Sequence, residues 1–493
     1  MNDEPILGID LGTTNSACAI WTDEGAVQIP NSHGDFLTPS AVGIDDDKTV
    51  LIGKPAKQRL VTHPQKTVAY FKRLMGSKFA VKLGRKQQYS AAELSSLVLG
   101  SLKRDAESFL GRPVKQAVIS VPAYFNEHQR QATVDAGQLA GLEVNRLINE
   151  PTAAAIAHGL QEQQERTIMV LDLGGGTFDV SILEYFDDIL EVHASAGDSS
   201  LGGEDFTQAL LTAFLNANEL GESDIEPTEL QRLYARMETI KRKYKAGQTQ
   251  EVSLHLGGQQ RTWSLTEETF KEATAKLLLR LRAPMERALR DADMVRSNID
   301  EVVLVGGATR MQMFQSLVAR TFGIFPRTDV DPDLTIARGT AVMAGLLAKN
   351  QALNEVVLTD VCPFSLGIAT QGDRPQQTGL SFAPILERNT VVPASRVEAF
   401  HTVSDNQKEI LVQVYQGESP WVKDNLFLGE FSVKVPPAPE GQETIDVRFS
   451  YDVNGLLDID VTVLSTGKQY NQLIENRAGG LSEAEKKKSR ARL

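Results

Sequence analysis

The sequence repeats one short pattern, and this repeat restricts the fold more than any other feature. An apolar stretch that ends in Asp and continues into a turn of Gly and Thr occurs as IDLGTT at residues 9–14 and, 162 positions later, as LDLGGGT at residues 171–177. Two related strand–turn–strand units predict two lobes that face each other across a cleft. A cleft of this kind can hold a phosphate group from both sides.

The residues of the repeated turn suit phosphate and Mg²⁺. Glycine lets the backbone approach a phosphate closely, and successive backbone N–H groups form a concave anion site. The Asp that ends each strand, Asp10 or Asp172, offers a hard oxygen to Mg²⁺ or to its waters. A single turn of this type is more typical of an ordinary hairpin or helix start, but two facing copies favour a phosphate site. Neither copy matches the P-loop or the dinucleotide-binding pattern.

Two other segments carry candidate site residues, each with an alternative. The segment LVGGATR at residues 304–310 again follows an apolar strand, and Gly306 with Gly307 would let a flat ring pack closely while Arg310 stacks on it. It is equally consistent with a helix N-terminal turn that packs on the sheet. Glu150 begins an Ala-rich helix with proline in its first turn. It is either a surface acid or a carboxylate directed into the cleft, and spacing leaves both open.

The chain changes character near residue 361. The first ~350 residues alternate short apolar runs with amphipathic helices, which is typical of α/β folds. After residue 361, apolar and polar residues alternate with a period of two, and Asn454-Gly455 predicts a hairpin between residues 445–451 and 457–463. Between the halves, residues 354–360 form a small apolar block flanked by acidic residues. This block is also typical of one more buried strand. The strands predicted in the first half are residues 6–10, 114–120, 168–172 and 302–305.

Composition excludes several functions. A net charge of −13 argues against non-specific nucleic-acid binding, and seven scattered histidines argue against a zinc site. No run of about 18 apolar residues predicts a membrane span, and the acidic start predicts no secretory signal. Cys18 and Cys362 lie far apart, which predicts no disulfide and a reducing, cytoplasmic location. The cluster Lys241-Arg242-Lys243, taken alone, reads as a solvated helix face.

The chain ends in a predicted helix. Residues 481–493 begin with Ser482, which has Glu485 at capping-box spacing. The helical pattern runs to the last residue, so a longer helix, of which the chain contains the start, is expected.

Eight motifs together resemble the seventy-kilodalton heat-shock chaperones of the DnaK type. The resemblance implies an α/β actin-like two-lobed ATPase domain (residues 1–350), a linker (351–360), an all-β sandwich peptide-binding domain (361–470) and the start of a helical lid (471–493). The shortened ATPase half and the Cys-Pro-Phe variant are most similar to the bacterial HscC branch. The motifs are IDLGTTNS (9–16), VPAYFN (121–126), NEPTAAA (149–155), DLGGGTFD (172–179), LGGEDF (201–206), LVGGATR (304–310), DVCPFSLGI (360–368) and YQGE (415–418).

The resemblance implies a role for each residue of the nucleotide site. Asp10, Asp172 and Asp179 would hold hydrated Mg²⁺ and the attacking water, Lys72 would stabilise the γ-phosphate, and Glu150 would position the water. Lys72 would otherwise read as a surface lysine. The family's usual serines of the base pocket are replaced by Lys245 and Ala308, which puts tight nucleotide affinity in doubt. The residues that would surround the phosphates and the adenosine of ATP or ADP are Gly12, Thr13, Thr14, Asn15, Gly174, Gly175, Gly176, Thr177, Gly202, Gly203, Glu238, Lys241, Arg242, Gly306, Gly307, Arg310 and Asp333. Thr177 also belongs to the catalytic set, and K⁺ is a further candidate ion.

The resemblance also implies residues for peptide binding and for communication between the domains. Ile368, Phe400, Ile410 and Val412 match a pocket for one apolar side chain of an extended client peptide, although the same four read as plain core. The arch over the peptide matches Gln371 and Val403, where DnaK carries Met and Ala. The expected coupling residues are Pro122, Arg130, Arg146, Val356, Val357, Leu358 and Asp360, of which Arg146 and Asp360 would contact a J-domain co-chaperone. An exchange factor is a further candidate partner.

Three rival functions fit parts of the sequence. A small-molecule kinase of the actin-like fold would need a base for a substrate hydroxyl and no peptide-binding β domain. A filament-forming actin-like protein leaves the hairpin-rich C-terminal third unexplained. A pseudo-ATPase scaffold is disfavoured because every phosphate-site residue is present. An ATP-driven chaperone of the heat-shock, stress-response type accounts for the whole chain.

Overall fold

The first lobe is built on a sheet with strand order β11-β10-β1-β2-β3. The computed structural model describes residues 4–84, 87–159, 165–186, 189–256, 258–327, 331–348, 357–371, 379–472 and 481–492. The strands of the first lobe are β1 (Ile6–Asp10), β2 (Asn15–Thr22), β3 (Gly25–Ile29), β4 (Thr38–Pro39), β5 (Ala41–Ile44), β6 (Val50–Ile52), β7 (Thr67–Ala69), β8 (Ala80–Leu83), β9 (Gln87–Ser90), β10 (Gln116–Val121) and β11 (Glu143–Asn149), and its helices are α1 (Lys54–Thr62), α2 (Ala91–Leu110), α3 (Glu127–Leu139) and α4 (Glu150–Gly159).

The second lobe repeats the plan of the first. Its sheet has the order β17-β12-β13-β14, and a separate hairpin, β15-β16, lies outside that sheet. Among its helices, α9 crosses back to pack on β1 and β2 of the first lobe. The strands are β12 (Arg166–Leu173), β13 (Phe178–Phe186), β14 (Ile189–Asp198), β15 (Gln250–Leu256), β16 (Gln259–Leu265) and β17 (Glu301–Val305), and the helices are α5 (Gly203–Ala217), α6 (Pro227–Lys243), α7 (Glu267–Asp291), α8 (Gln312–Phe322) and α9 (Thr335–Leu347).

The repeated sequence pattern corresponds to a repeated structure. In the first lobe β1 is antiparallel to β2 and parallel to β10. In the second lobe β12 is antiparallel to β13 and parallel to β17. The predicted strands are confirmed, with one shift: β10 begins at Gln116 rather than at Val114. The Val114 N–H donates to the Glu107 carboxylate of α2 at 3.1 Å, so it is not available to the sheet.

The C-terminal part is a β sandwich followed by one helix. One sheet has the order β20-β19-β23-β24 and the other β22-β25-β26-β27, and their apolar faces share one core. The elements are β18 (Val357–Val361), β19 (Leu366–Gln371), β20 (Leu380–Leu386), β21 (Val391–Val392), β22 (Ala394–His401), β23 (Glu409–Gln416), β24 (Leu426–Lys434), β25 (Thr444–Tyr451), β26 (Leu457–Val463), β27 (Lys468–Gln472) and α10 (Glu483–Arg492).

The predicted hairpin and the predicted helix cap are both present. β25 and β26 pair in antiparallel register, and their alternating apolar residues are buried. Only Gly455 of the turn has positive φ, at 71°, and its N–H donates to the Asp452 carbonyl, so the turn is longer than a two-residue Asn-Gly turn. At α10, Ser482 and Glu485 exchange the reciprocal capping-box hydrogen bonds. None of the helices in the described ranges is long and apolar enough to cross a membrane.

The strand β18 joins the two parts of the molecule. It pairs in parallel with β14 of the second lobe through Val357, Leu358 and Thr359. On its other side it pairs with β21 of the β sandwich through Asp360 and Val361. The sheet of the second lobe therefore continues through β18 to β21, a short strand between β20 and β22 in the C-terminal part. Residues 357–360 of β18 lie in the segment predicted to be a linker or a buried strand.

The β sandwich and α10 also rest on the first lobe. Arg130 donates to the Asn454 carbonyl at 3.3 Å, and the Leu147 N–H donates to the Asn454 side chain at 3.0 Å. Lys486 of α10 forms an ion pair with Asp135 of α3 at 3.0 Å. The structure therefore represents a state in which the domains are docked on one another.

Small residues allow α4, α9 and the first sheet to meet between the lobes. The residues Ala153, Ala154 and Ala155 of α4 are fully buried. A Cβ atom on Gly339 of α9 would lie 1.8 Å from the Ala153 carbonyl oxygen. Such a contact is possible only for a residue without a side chain, so the approach of α4 to α9 depends on Gly339.

We expect Gly339→Ala to destabilise the two-lobed domain. The added methyl group would force the backbones of α4 and α9 apart, and overpacking of this kind typically costs ~1–3 kcal/mol. The midpoint of thermal or urea unfolding of the nucleotide-free protein should fall. Gly100→Ala in α2 is the matched control, because its Cβ would meet only the flexible Arg104 side chain at 3.6 Å. An unchanged midpoint for Gly339→Ala would contradict this account of the packing.

Candidate functional site

The two repeated turns face each other across a cleft between the lobes. A Cβ atom on Gly175 would lie 1.9 Å from the Thr14 hydroxyl, so the turns of the two lobes touch. Within the second turn, the Gly174 N–H donates to the Thr177 carbonyl at 3.1 Å. The cleft is lined by Asp10, Gly12, Thr13, Thr14, Asn15, Leu37, Lys72, Glu150, Asp172, Gly174, Gly175, Thr177, Gly203, Glu204, Glu238, Lys241, Arg242, Tyr244, Gly306, Gly307, Ala308, Arg310, Met311, Pro332, Asp333 and Ile336.

Three of the predicted nucleotide-site residues lie behind the cleft wall. A Cβ on Gly202 would lie 2.4 Å from the backbone of Gly175, and one on Gly176 would lie 2.8 Å from the Thr13 methyl group. Gly176 therefore allows the two turns to approach each other, and Gly202 allows the start of α5 to pack on the second turn. Asp179 is fully buried and accepts a hydrogen bond from the Tyr124 N–H at 2.9 Å.

The acidic residues at the base of the cleft are buried. Burial, reinforced by the charge of Glu150, raises the pKa of Asp10 and that of Asp179 to about 7. The same two causes raise the pKa of Asp172 well above its ordinary value. Asp10 accepts a hydrogen bond from the Ser120 hydroxyl at 2.9 Å. The Oδ2 atoms of Asp172 and Asp179 are buried without a hydrogen-bond partner.

The Lys72 ammonium lies among these acids. Its Nζ atom donates to Glu150 Oε1 at 2.7 Å, and both side chains are buried. It lies 5.4 Å from the centroid of the Phe125 ring. The interpretation of Lys72 as a surface lysine was therefore wrong, because the short 3-10 helix Phe71–Leu74 turns this side chain inward. Of the two alternatives for Glu150, the structure has the one in which the carboxylate faces the cleft.

The base of the cleft fits a hydrated cation. In the part of the chain that the structure describes, no three His, Cys, Asp or Glu side chains come together to ligate a metal directly. The two partnerless Oδ2 atoms of Asp172 and Asp179 are acceptors that require a cation or water, because a buried acceptor without a partner is costly. This donor set suits Mg²⁺, which is bound through a few carboxylates and retains several waters.

The opposite end of the cleft is bordered by α6 and by the third glycine segment. Lys241 is buried and donates to the Gly203 carbonyl at 2.6 Å, and it pairs with Glu238 at 2.6 Å, so the solvated-face reading was wrong for it. Gly306 has φ of 83° and immediately precedes the short 3-10 helix Gly307–Arg310. Arg310 is exposed and pairs with Asp333 at 2.7 Å.

Two residues were expected to replace the family's serines in the base pocket, and Lys245 is the one that does not line the cleft. Ala308 lines the cleft, as expected from the sequence. Lys245 is exposed, and Tyr244 is the residue of that segment that lines the cleft. Among the lining residues that sequence reasoning missed, Glu204 had a visible signal, because it follows Gly203 at the start of α5.

Two of the predicted coupling residues, Arg130 and Asp360, are linked through Asn149 beside the β sandwich. Arg130 donates to Asn149 Oδ1 at 2.7 Å, and the Asn149 amide donates to Asp360 at 2.8 Å. Pro122 is buried. Burial lowers the pKa of Arg146, and the nearby negative charge of Asp360 opposes this shift. Val356 lies outside the described residues, whereas Leu358 packs on the apolar core between the lobes.

The predicted peptide-site residues gather in the β sandwich. Ile368 and Val412 are buried in its core, and Phe400 and Ile410 pack against them half-buried. The two expected arch residues, Gln371 and Val403, are exposed. The structure thus brings the four pocket candidates together, in an arrangement that also suits plain core.

The comparisons with known proteins all match the same kind of protein. The family model described as Hsp70 protein matches residues 6–85 and 80–491. The chain is 41% identical over 490 residues to the chaperone protein DnaK of Thermotoga neapolitana, covering 96% of this chain and 81% of that protein. The DnaK proteins of Thermotoga petrophila and Thermotoga maritima match with the same identity and coverage.

We expect docking of the β sandwich on the first lobe to weaken in mild acid because of His128. This residue of α3 is buried, hydrogen-bonds the Leu428 backbone in β24, and has no partner for Nε2. Burial lowers its pKa below the ordinary 6.5. The neutral form is therefore favoured when docked, and docking loses up to about 1.4 kcal/mol per pH unit as the pH falls below 6.5.

Small-angle scattering of the whole chain between pH 8 and pH 5.5 measures this effect as an increase in the radius of gyration. His128→Ala should flatten the pH dependence, whereas His401→Ala, at an exposed position of β22, should leave it intact. The same acid-induced expansion in His128→Ala would assign the effect to other groups.

Proposed function

Because the chain belongs to the Hsp70 family, we propose that its cleft binds Mg–ATP and that the docked β sandwich is the nucleotide-controlled peptide site. The protein is an ATP-dependent chaperone and an ATPase. The observation that carries the residue assignment is the buried Lys72–Glu150 pair beside three buried aspartates, at the point where two phosphate-binding turns meet.

The residues of the cleft divide the work of hydrolysis. The turns at residues 12–15 and 174–177 offer backbone N–H groups and threonine hydroxyls to the phosphates. Asp10, Asp172 and Asp179 would hold a hydrated Mg²⁺, which supplies positive charge to offset the negative charge of the phosphates. Lys72 places an ammonium where negative charge develops. Glu150 holds that ammonium through its carboxylate and is placed to orient the attacking water.

The adenosine would lie between α6 and the segment from Gly306 to Arg310. Glu238 and Lys241 border it on one side, and the flat backbone of Gly307 borders it on the other. Ala308 offers no hydroxyl to the nucleoside, so affinity depends mainly on the phosphate contacts.

We assign the coupling between ATP binding and peptide binding to the contacts that join the domains. Arg130, Asn149 and Asp360 connect the first lobe to the start of the β sandwich. Ligands of the cleft and of the sandwich would bias one equilibrium between docked and separated domains, so each ligand changes the affinity for the other by the same factor.

Several finer assignments belong to the same proposal. Extended client segments would place one apolar side chain among Ile368, Phe400, Ile410 and Val412. Arg146 and Asp360 would contact a J-domain co-chaperone, and an exchange factor would assist nucleotide release. We place the protein in the cytoplasm and in an HscC-like branch of the family, with K⁺ as an additional ion of the cleft and α10 as a lid segment.

Lys72→Ala should reduce the rate of ATP hydrolysis by about 100-fold or more while some nucleotide binding remains. The ammonium acts on charge that develops in the transition state, so its loss affects the rate more than ground-state binding. Single-turnover hydrolysis in quench-flow measures the rate. Lys271→Ala removes a lysine from an exposed ion pair of α7 and should hydrolyse ATP at the wild-type rate. Wild-type turnover by Lys72→Ala would refute the role given to this residue.

Leu358→Asp should abolish the stimulation of ATPase activity by an extended apolar peptide. Leu358 lies on β18, which pairs with both domains, and a carboxylate there would be buried against apolar neighbours. Basal hydrolysis should persist because the cleft residues are unchanged. The control is Leu464→Asp, in which an exposed leucine after β26 is replaced. If the variant still responds to peptide, this strand does not transmit the signal.

A further inference from the structure

The face of helix α10 that rests on the first lobe is polar. Within Glu483–Arg492, the buried residues are Lys486 and Ser489, which lie three positions apart on one face of the helix. The two alanines of α10, Ala484 and Ala491, are exposed. Hydrogen bonds and ion pairs therefore hold this helix on the lobe, and a change of charge on its buried face would act directly on docking.

The buried carboxylate of Glu93 receives the C-terminal half of α10. The Ser489 hydroxyl donates to Glu93 Oε1 at 2.6 Å, and Arg492 pairs with the same oxygen. The Ser90 N–H donates to the other oxygen, Oε2, at 2.9 Å. Burial would raise the pKa of Glu93, but the hydrogen bonds from Ser489 and Ser90 and the charge of Arg492 outweigh it and lower the pKa. Glu93 is therefore ionised where Ser489 meets it.

A second buried carboxylate receives the start of α10. Asp135 of α3 is fully buried, forms the ion pair with Lys486 and accepts a hydrogen bond from the Leu481 N–H at 2.8 Å. Lys486 also donates to the Gln138 side chain at 2.7 Å. The first lobe thus offers negative charge at both points where α10 is buried, and this surface suits a cationic helix.

Ser489 is the one hydroxyl side chain within α10, and it lies in a run of basic residues. The sequence KKKSRAR at residues 486–492 places three lysines before the serine and an arginine after it. Lys487 and Lys488 are exposed. Kinases choose their substrates partly by patterns of charge. A serine preceded by basic residues is the pattern that basophilic serine kinases select.

We propose that Ser489 is a phosphorylation site for a basophilic serine kinase, and that phosphate at this position keeps α10 off the first lobe. The γ-phosphoryl group of ATP held by that kinase forms a bond to Ser489 Oγ, its bond to the β-phosphate breaks, the hydroxyl proton is lost and ADP leaves. The docked helix covers the hydroxyl, so the kinase acts on α10 when it is undocked. The proposal does not depend on binding of nucleotide in the cleft.

The added charge opposes docking and is compensated on the free helix. Phosphoserine carries a charge of about −1.5 to −2 at pH 7. In the docked helix this charge would lie against the ionised Glu93, and a buried contact between like charges is strongly unfavourable. On the free helix the phosphate can pair with Lys486 and Arg492, which lie three residues before and after it. Both side chains would then leave their carboxylates on the first lobe.

Hydrogen exchange of the whole chain, followed by mass spectrometry, tests the effect of the phosphate. A free helix of this length is marginal in water, so the amides of α10 exchange faster once it is undocked. Ser489→phosphoserine, installed by genetic code expansion, should accelerate this exchange about tenfold or more. Phosphoserine at Ser223, an exposed position of the second lobe, is the control and should leave the exchange unchanged. Exchange at the unmodified rate in Ser489→phosphoserine would overturn the proposal.

A double-mutant cycle with Glu93→Gln distinguishes charge repulsion from loss of a contact. Glutamine keeps an oxygen for the Ser489 hydroxyl and removes the charge, so the phosphate should accelerate exchange much less in this background than in wild type. Ser489→Ala, which loses the hydrogen bond without adding charge, should have a smaller effect than the phosphate. Equal effects of the phosphate in the two backgrounds would contradict the repulsion from Glu93. Exchange of the β10 amides checks that the first lobe stays folded.

Phosphorylation itself is tested with a purified kinase. The whole chain is incubated with ATP and the catalytic subunit of a basophilic serine kinase, and tandem mass spectrometry locates the phosphate. Ser489 should be modified, and it should be modified faster in Asp135→Asn, because loss of the partner of Lys486 frees α10 more often. Absence of phosphate from Ser489 in both proteins, or equal rates in both, would refute Ser489 as a site exposed by undocking.

Discussion

Four buried acidic side chains share the base of the cleft with the Lys72 ammonium. The rest of the ATPase domain depends on how this concentration of negative charge is compensated. Burial and the negative charge of Glu150 both raise the pKa of Asp10, Asp172 and Asp179, and the positive charge of Lys72 opposes this shift. Such a group of charges is stable only when cations and hydrogen bonds compensate it. The structure supplies Lys72, the Ser120 hydroxyl and the Tyr124 N–H. A hydrated Mg²⁺ with its nucleotide would supply the remainder.

The duplicated strand–turn–strand unit explains why much of this could be predicted. Its carboxylates end β1 and β12, so strand prediction alone placed Asp10 and Asp172 at facing sheet edges. The hairpin of β25 and β26 followed from strict alternation. These features are local, because a strand and its turn lie within a few residues of each other.

Residues whose environment comes from distant segments could not be placed in this way. Lys72 looks like any surface lysine until Glu150, 78 positions later, is brought beside it. Tyr244 rather than Lys245 faces the cleft because α6 ends at Lys243 and the chain then turns, which helical periodicity did not indicate. The four peptide-pocket candidates remain indistinguishable from core by burial alone. Their proposed role in peptide binding rests on the resemblance to the family.

The strand β18 has a consequence for the energetics of the separated state. In the docked state its first three residues pair with β14 and its last two pair with β21. If the domains part and β18 leaves, β14 becomes an edge strand with a row of unpaired N–H and C=O groups. Water then satisfies these groups, but the exposed edge is also a template for any other extended segment. Separation of the domains would thus create, on the ATPase domain itself, a place where an extended chain could add as a strand.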